Sequence, residues 1–207
     1  YKYDPLMGSL LVVVPLLLLR VSQIQYVERT RGMVAELREK NVALEKYSGE
    51  ISNLNEGLLD TLAEIIDLRD PYVLGHSRRV TEFATKLARR LGLHEKQVEL
   101  VRKGSLLHDI GKLGVSKHIL SKPASLTQEE YNIIKKHPVI GATLLEKSPH
   151  LRSLIPIVRQ HHEFYNGEGY PEKISGNQIT IEARIVSVAD AVEAMSSDRP
   201  YRKARTI

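Results

Sequence analysis

Five histidines and two aspartates carry the chemistry open to this sequence: His76, His108, His137, His161, His162, Asp109 and Asp190. The singular segment is Leu106-Leu107-His108-Asp109-Ile110-Gly111-Lys112, an adjacent His–Asp pair at the end of an apolar stretch. Imidazole and carboxylate together suit a borderline divalent cation such as iron, manganese or zinc. By itself such a dipeptide is more often a helix cap or a surface pair. Here His137, the His161-His162 pair and Asp190 each fall near the end of a predicted helix, and His76 opens another. That inventory is enough for two metal sites if one carboxylate bridges them. The other three histidines, His94, His118 and His150, lie in polar loop contexts and read as surface residues.

The elements that must position these groups are helical. Val80, Phe83, Ala84, Leu87, Ala88 and Leu91 recur on one helical face, and Gly92 supplies the stop. Thr127 with Glu130 forms a capping box for a helix running toward His137, which Pro138 is expected to end or kink. An apolar helix from Leu154 to Val158 leads into His161, and a last one around Ile181 to Met195 carries Asp190. No period-two alternation is long enough to build a sheet, so the fold class is all-α.

Upstream, Leu37, Leu44, Ile51, Leu58 and Ile65 recur at a seven-residue interval, the seam of a coiled coil, with Val27, Val34, Asn41, Ser48, Asn55 and Leu62 at the alternate positions. Polar residues at those positions favour a defined but weak pairing, and a homodimer through residues 27–65 is expected. A single amphipathic helix packed on its own domain is the competing reading. Before it, Pro5 to Leu19 runs without a charge and is closed by Arg20. Fifteen residues at about 1.5 Å each fall short of a hydrocarbon core of about 30 Å, so the run reads as the end of a membrane span extended by Arg20, with a buried core helix as the alternative.

Composition narrows the classes further. The absence of cysteine excludes disulfide scaffolds, thiolate metal sites and a cysteine nucleophile. A net charge of +5 suits an anionic partner as well as ordinary solubility. With no tryptophan and two phenylalanines there is no broad stacking platform, and a nucleic-acid partner is not expected.

The ordered motifs resemble the HD-GYP branch of the HD-domain phosphohydrolases. They are Gly75-His76-Ser77 with Arg79-Val80; His108-Asp109-Ile110-Gly111-Lys112; His137-Pro138 with Gly141; His161-His162-Glu163 with Asn166-Gly167 and Gly169-Tyr170-Pro171; and Ala189-Asp190 with Ala194-Met195 and Arg199-Pro200-Tyr201-Arg202. The resemblance implies an all-α HD-domain helical bundle over residues 70–207, shortened at its C-terminal end, preceded by a coiled-coil signalling helix over 21–69 and the end of a membrane segment over 1–20. It implies a metal-dependent phosphodiesterase that opens cyclic di-GMP to linear pGpG, with onward hydrolysis to GMP left open. A non-catalytic module that binds the dinucleotide or a partner is the alternative. The site would lie in the cytoplasm beneath the inner membrane.

By position, the resemblance assigns His76, His108, Asp109 and Asp190 to one divalent ion and Asp109, His137, His161 and His162 to the other, iron or manganese being expected. Asp109 would bridge, and two cations about 3.5 to 4 Å apart would activate a shared water for in-line attack. Asp109 and Lys112 are then the catalytic residues, Lys112 stabilising phosphoryl charge or assisting the leaving oxygen. Lys112, Tyr170, Pro171, Arg199 and Arg202 would contact substrate. Tyr72 stands where some members carry a glutamate that goes with a third metal, so two ions are expected.

Overall fold

The protein is described here by a computed structural model, which covers residues 5–69 and 74–197, with side chains from residue 13 on. The chain divides into two compact units, Tyr1–Asn55 and Glu56–Ile207. Helix α1 is Pro5–Asp67. Within the first unit its side chains from Val13 to Asn55 are exposed apart from a half-buried Thr30, including the seam residues Leu37, Leu44 and Ile51. No helix among the described residues is long and apolar enough to cross a membrane. The expected span end at residues 1–20 is not shown by the fold, and its residues 1–4 lie outside the described residues.

The second unit is built from the last turns of α1 and seven further helices: α2 (His76–Arg90), α3 (Glu95–Leu107), α4 (Lys117–Leu120), α5 (Gln128–Ile134), α6 (His137–Glu146), α7 (Ile155–Gln160) and α8 (Ile181–Ser196). Short 3-10 turns lie at Ile110–Gly114, Pro149–Leu154 and Gly176–Gln178. No strand occurs among the described residues, as the all-α reading expects.

Two apolar clusters meet around α3 and α7. One joins Leu59, Ala63 and Ile66 of α1 to Leu106, Leu107, Ile110, Leu145, Leu154 and Val158. The other joins Val80, Ala84 and Ala88 of α2 to Val98, Val101, Ile157, Ile185, Val186 and Ala189. The end of α1 thus carries apolar residues on two sides. Leu59, Ala63 and Ile66 are buried, whereas the seam residues Leu58 and Ile65 are 54% and 45% exposed.

Local signals explain where the helices start and stop. Gly92 at φ 75 closes α2, with Leu93 N–H donating to Ala88 O and Gly92 N–H to Arg89 O, a Schellman arrangement. The apolar face of α2 is narrower than its periodicity predicts, since Phe83 and Leu91 are exposed. The capping box forms as expected, Thr127 Oγ1 accepting from Glu130 N–H and Glu130 Oε2 from Thr127 N–H. Pro138 corrects the expectation. It stands in the first turn of α6 and opens that helix, because an N–H is not needed there.

The closest backbone approach packs the turn after Asp109 onto α6. A Cβ on Gly111 would lie 1.8 Å from His137 O and 2.6 Å from Gly141 N. Both neighbours are backbone, so no rotamer change relieves the clash. Gly111→Ala should cost about 1–3 kcal/mol or more, which lowers the melting temperature by roughly 3–10 °C at this size. Gly114→Ala, whose Cβ would meet only the Ile140 side chain at 3.0 Å, should cost less. Equal melting temperatures for the two variants in a thermal scan would show that the turn and α6 separate easily.

Candidate metal centre

Helix ends deliver the site. His76 is the first residue of α2, His108 follows α3, His137 opens α6 just after α5, and His161 and His162 follow α7. Asp190 comes from within α8. Three of the imidazoles are aimed by one device, a hydrogen bond from Nδ1 to the carbonyl three residues back: His108 to Ser105 O at 2.6 Å, His137 to Ile134 O at 2.8 Å and His161 to Val158 O at 2.8 Å. A carbonyl can only accept, so Nδ1 carries the proton and Nε2 turns a lone pair inward. His76 achieves the same with a carboxylate, its Nδ1 lying 2.5 Å from Glu193 Oε2.

Two groups of ligand atoms result. In one, Asp109, His137, His161 and His162 offer atoms that all lie within 4.8 Å of one another; in the other, His76, His108 and Asp109 do. Asp109 belongs to both. Its Oδ1 is 3.2 Å from His137 Nε2 and its Oδ2 is 3.4 Å from His108 Nε2. Asp190 Oδ1 stands 3.3 Å from His76 Nε2, beside the second group. All seven expected ligands are therefore brought to one place. Lys112 joins them, its Nζ 2.6 Å from Asp109 Oδ2.

The donor set fits divalent cations. His137 Nε2 and His161 Nε2 face each other at 3.2 Å, an arrangement of two lone pairs that asks for a positive charge between them. His108 Nε2 is buried with no hydrogen-bond partner. Burial opposes charge on Asp109, yet Lys112, His108 and His137 hold its carboxyl well below the usual range. Burial keeps His161 and His162 neutral, the latter down to about 3, with neighbouring histidines acting in the same direction. His76 differs. Burial again opposes its charge, but the hydrogen bonds to Asp190 and Glu193 raise it to about 9.

Other expected contacts divide. Tyr170 stacks on His162 with ring centres 4.8 Å apart, and burial pushes its phenol up, so it is neutral. The Tyr170-Pro171 bond is cis. A Cβ on Gly169 would come within 2.2 Å of Phe164 N, so the motif glycine lets this loop close on the strand of chain that carries His162. Arg199, Arg202 and Tyr72 lie outside the described residues.

Three buried carboxylates were given no role by the sequence pattern. Glu193, besides orienting His76, accepts from Arg79 Nε at 2.7 Å and Ser197 Oγ at 2.7 Å. Its position one turn after Asp190 is a signal that could have found it. Glu163 Oε1 accepts from the N–H groups of Glu172 and Lys173 at 2.6 and 3.1 Å, tying the Gly169-Tyr170-Pro171 loop to the histidine pair. Asp67, at the end of α1, accepts from Ser77 Oγ at 2.7 Å, one residue from His76.

The family profile described as an HD domain matches residues 60–207. The chain belongs to the HD-domain family. Its relatives include cyclic di-GMP phosphodiesterases at 36–38% identity, which supports the HD-GYP type. It is 37% identical over 152 residues to the 3'3'-cGAMP-specific phosphodiesterase 3 of Vibrio cholerae. It is 38% identical over 160 residues to the cyclic di-GMP phosphodiesterase response regulator RpfG of Xanthomonas campestris, and 36% over 177 residues to the cyclic di-GMP phosphodiesterase of Thermotoga maritima. These alignments cover 73%, 76% and 83% of this chain but 33%, 42% and 48% of the relatives. The chain thus spans a third to a half of the length of the curated relatives it matches.

The two ligand groups should separate with pH. A metal at His76 must displace a proton held at about 9, whereas His161 and His162 are already neutral. Below that value each pH unit costs about tenfold in apparent affinity, so going from pH 8 to pH 6 should weaken the His76 group about a hundredfold and leave the other much less changed. Glu193→Gln keeps an acceptor for Nδ1 but removes the charge, and should move the loss to lower pH. Chelator competition at several pH values reads both, and identical pH slopes for the two classes of ion would contradict the arrangement.

Proposed function

We propose that the HD domain hydrolyses cyclic di-GMP to linear pGpG as a metal-dependent phosphodiesterase with two divalent ions. The observation that carries this is the Asp109 carboxylate, shared between two groups of inward-facing imidazoles. Relatives named as phosphodiesterases of cyclic di-GMP and of 3'3'-cGAMP support the substrate class. Imidazole with carboxylate suits iron or manganese, our choice of metal. When bound, such ions lower the pKa of water and neutralise phosphoryl charge.

The chain's own residues do the rest. Glu193 and the three backbone carbonyls fix the imidazole orientations, so little reorganisation is left for the moment of reaction. Water adds to phosphorus as the bond to the ribose 3'-oxygen breaks, and that oxygen leaves with a proton. Lys112, partly buried beside Asp109, holds a cation where charge accumulates on the phosphoryl and leaving oxygens. Arg199 and Arg202 are proposed to hold the second phosphate through forked donors.

The proposal extends to assembly. The outward seam of Leu37, Leu44, Ile51, Leu58 and Ile65 supports a parallel homodimer through residues 27–65. Attachment to the inner membrane, with the HD domain on the cytoplasmic side, is part of the same reading and rests on the uncharged run from Pro5 to Leu19.

Metal-reconstituted protein incubated with cyclic di-GMP and followed by chromatography tests the activity. Asp109→Ala should abolish turnover, and Lys112→Ala should keep its metal while slowing by about a hundredfold or more. Full activity in Asp109→Ala would overturn the reading, and metal-loaded wild-type protein that binds the dinucleotide without cleaving it would make the domain a receptor. For the dimer, sedimentation should show self-association that Asn41→Leu with Asn55→Leu tightens. A monomer at all concentrations in both proteins would refute it.

A further inference from the structure

Beyond the metal-facing imidazoles, the rim of the centre carries Tyr131, Lys135 and Tyr170 side by side. Tyr131 lies on α5, Lys135 follows that helix, and Tyr170 comes from the loop after α7. Lys135 Nζ sits 4.6 Å from the Tyr131 ring centre and 5.5 Å from that of Tyr170, which itself stacks on His162. Lys135 is half-buried, and among the described residues no carboxylate oxygen lies within the 4.0 Å of an ion pair. Lys112, Lys103 and Lys122, by contrast, are all held by carboxylates.

An ammonium placed against two phenol rings is attracted to their faces without spending its hydrogen-bond donors on them. It offers three donors and no acceptor. Lys135 is one aromatic ring, that of Tyr170, away from His162. Guanine presents two acceptors on that edge, O6 and N7, whereas adenine presents N7 beside an amino donor at N6. Ammonium and amino group would face each other donor to donor.

We infer that Lys135, held by Tyr131 and Tyr170, selects guanine over adenine in the nucleotide whose phosphate occupies the metal centre. The inference rests on the phosphodiesterase reading and adds a specificity determinant to it. Tyr131 and Tyr170 are positioning residues here, and Lys135 is the group that touches the base. The phosphates are held elsewhere, so its contribution is to substrate binding and not to the chemical step.

The test is steady-state hydrolysis of cyclic di-GMP and cyclic di-AMP by the metal-loaded chain and two variants. Lys135→Met keeps the stem and removes the donors. It should lower the preference, the ratio of kcat/KM for the guanine over the adenine dinucleotide, by about tenfold or more. The loss should appear mainly as a raised KM for cyclic di-GMP, with metal content unchanged. Lys135→Arg, whose fork also matches O6 and N7, should recover most of the preference. An unchanged ratio in Lys135→Met overturns the inference while leaving the phosphodiesterase reading intact. If the wild-type chain cleaves neither dinucleotide, that reading fails, and calorimetric binding of the same two ligands decides the selection. A guanine preference lost in Lys135→Met upholds it, and no preference in the wild-type chain overturns it.

Discussion

A carboxylate as buried as that of Asp109, 5% exposed, has to find positive charge or hydrogen-bond donors within a few ångströms, and most of the surrounding architecture follows from that need. Lys112 supplies one charge at 2.6 Å. Backbone carbonyls fix a proton on Nδ1 of the neighbouring imidazoles of His108 and His137, so in the neutral form each turns its Nε2 lone pair to the carboxylate. They therefore surround the carboxylate with lone pairs. A group of acceptors packed this closely is stable only around cations, whether protons, ammonium or metal, and His76 with its raised pKa shows the first of these solutions.

The same requirement explains why so many short helices end at one place. Only the last four carbonyls of a helix lack a partner in their own ladder. Ser105, Ile134 and Val158 belong to the final turns of α3, α5 and α7, so each can accept from the histidine that follows. Aiming an imidazole in this way uses a helix terminus, and aiming three uses three. Bringing those termini together forces backbone close to backbone, which is why the turn after Asp109 carries Gly111 against α6 and the loop after the histidine pair carries Gly169.

Much of this was legible in the chain. The metal-ligand types, their order and the placement of the histidines at helix ends point to the observed cluster, although Asp190, expected near a helix end, comes from within α8, and helical periodicity with turn residues gives the all-α class. What escaped depends on contacts remote in sequence. Glu193 meets His76 across 117 positions, and its place one turn after Asp190 is the only local hint of the pairing. Pro138 reads equally well as a helix stop or a helix start, and only the free N–H groups of a first turn decide for the start. Phe83 and Leu91 match the apolar spacing of α2 yet face solvent, because the stripe packed on α3 and α8 takes Val80, Ala84 and Ala88, with Leu87 at its edge. Along α1 the seven-residue repeat is real, but a second apolar face at Leu59, Ala63 and Ile66 runs beside it and packs in the domain core.

That second face gives the end of α1 a structural hold on the centre. Asp67 is buried and bonded to Ser77, adjacent to His76, and it does for the start of α2 what Gly75 at the cap position cannot do with a side chain. Two residues on, Arg69 Nη2 donates to Val115 O at 2.8 Å, directly after the 3-10 turn that carries Lys112. One helix end is thus bonded to both sides of the site, to the chain that sets the first imidazole and to the chain that sets the lysine. Rotating the last turn of α1 would break at least one of these bonds, and breaking the Asp67 bond would leave a buried carboxylate without its hydroxyl donor. The cost of that loss, about 1–3 kcal/mol for an unsatisfied buried polar group and more for a charged one, opposes such a rotation.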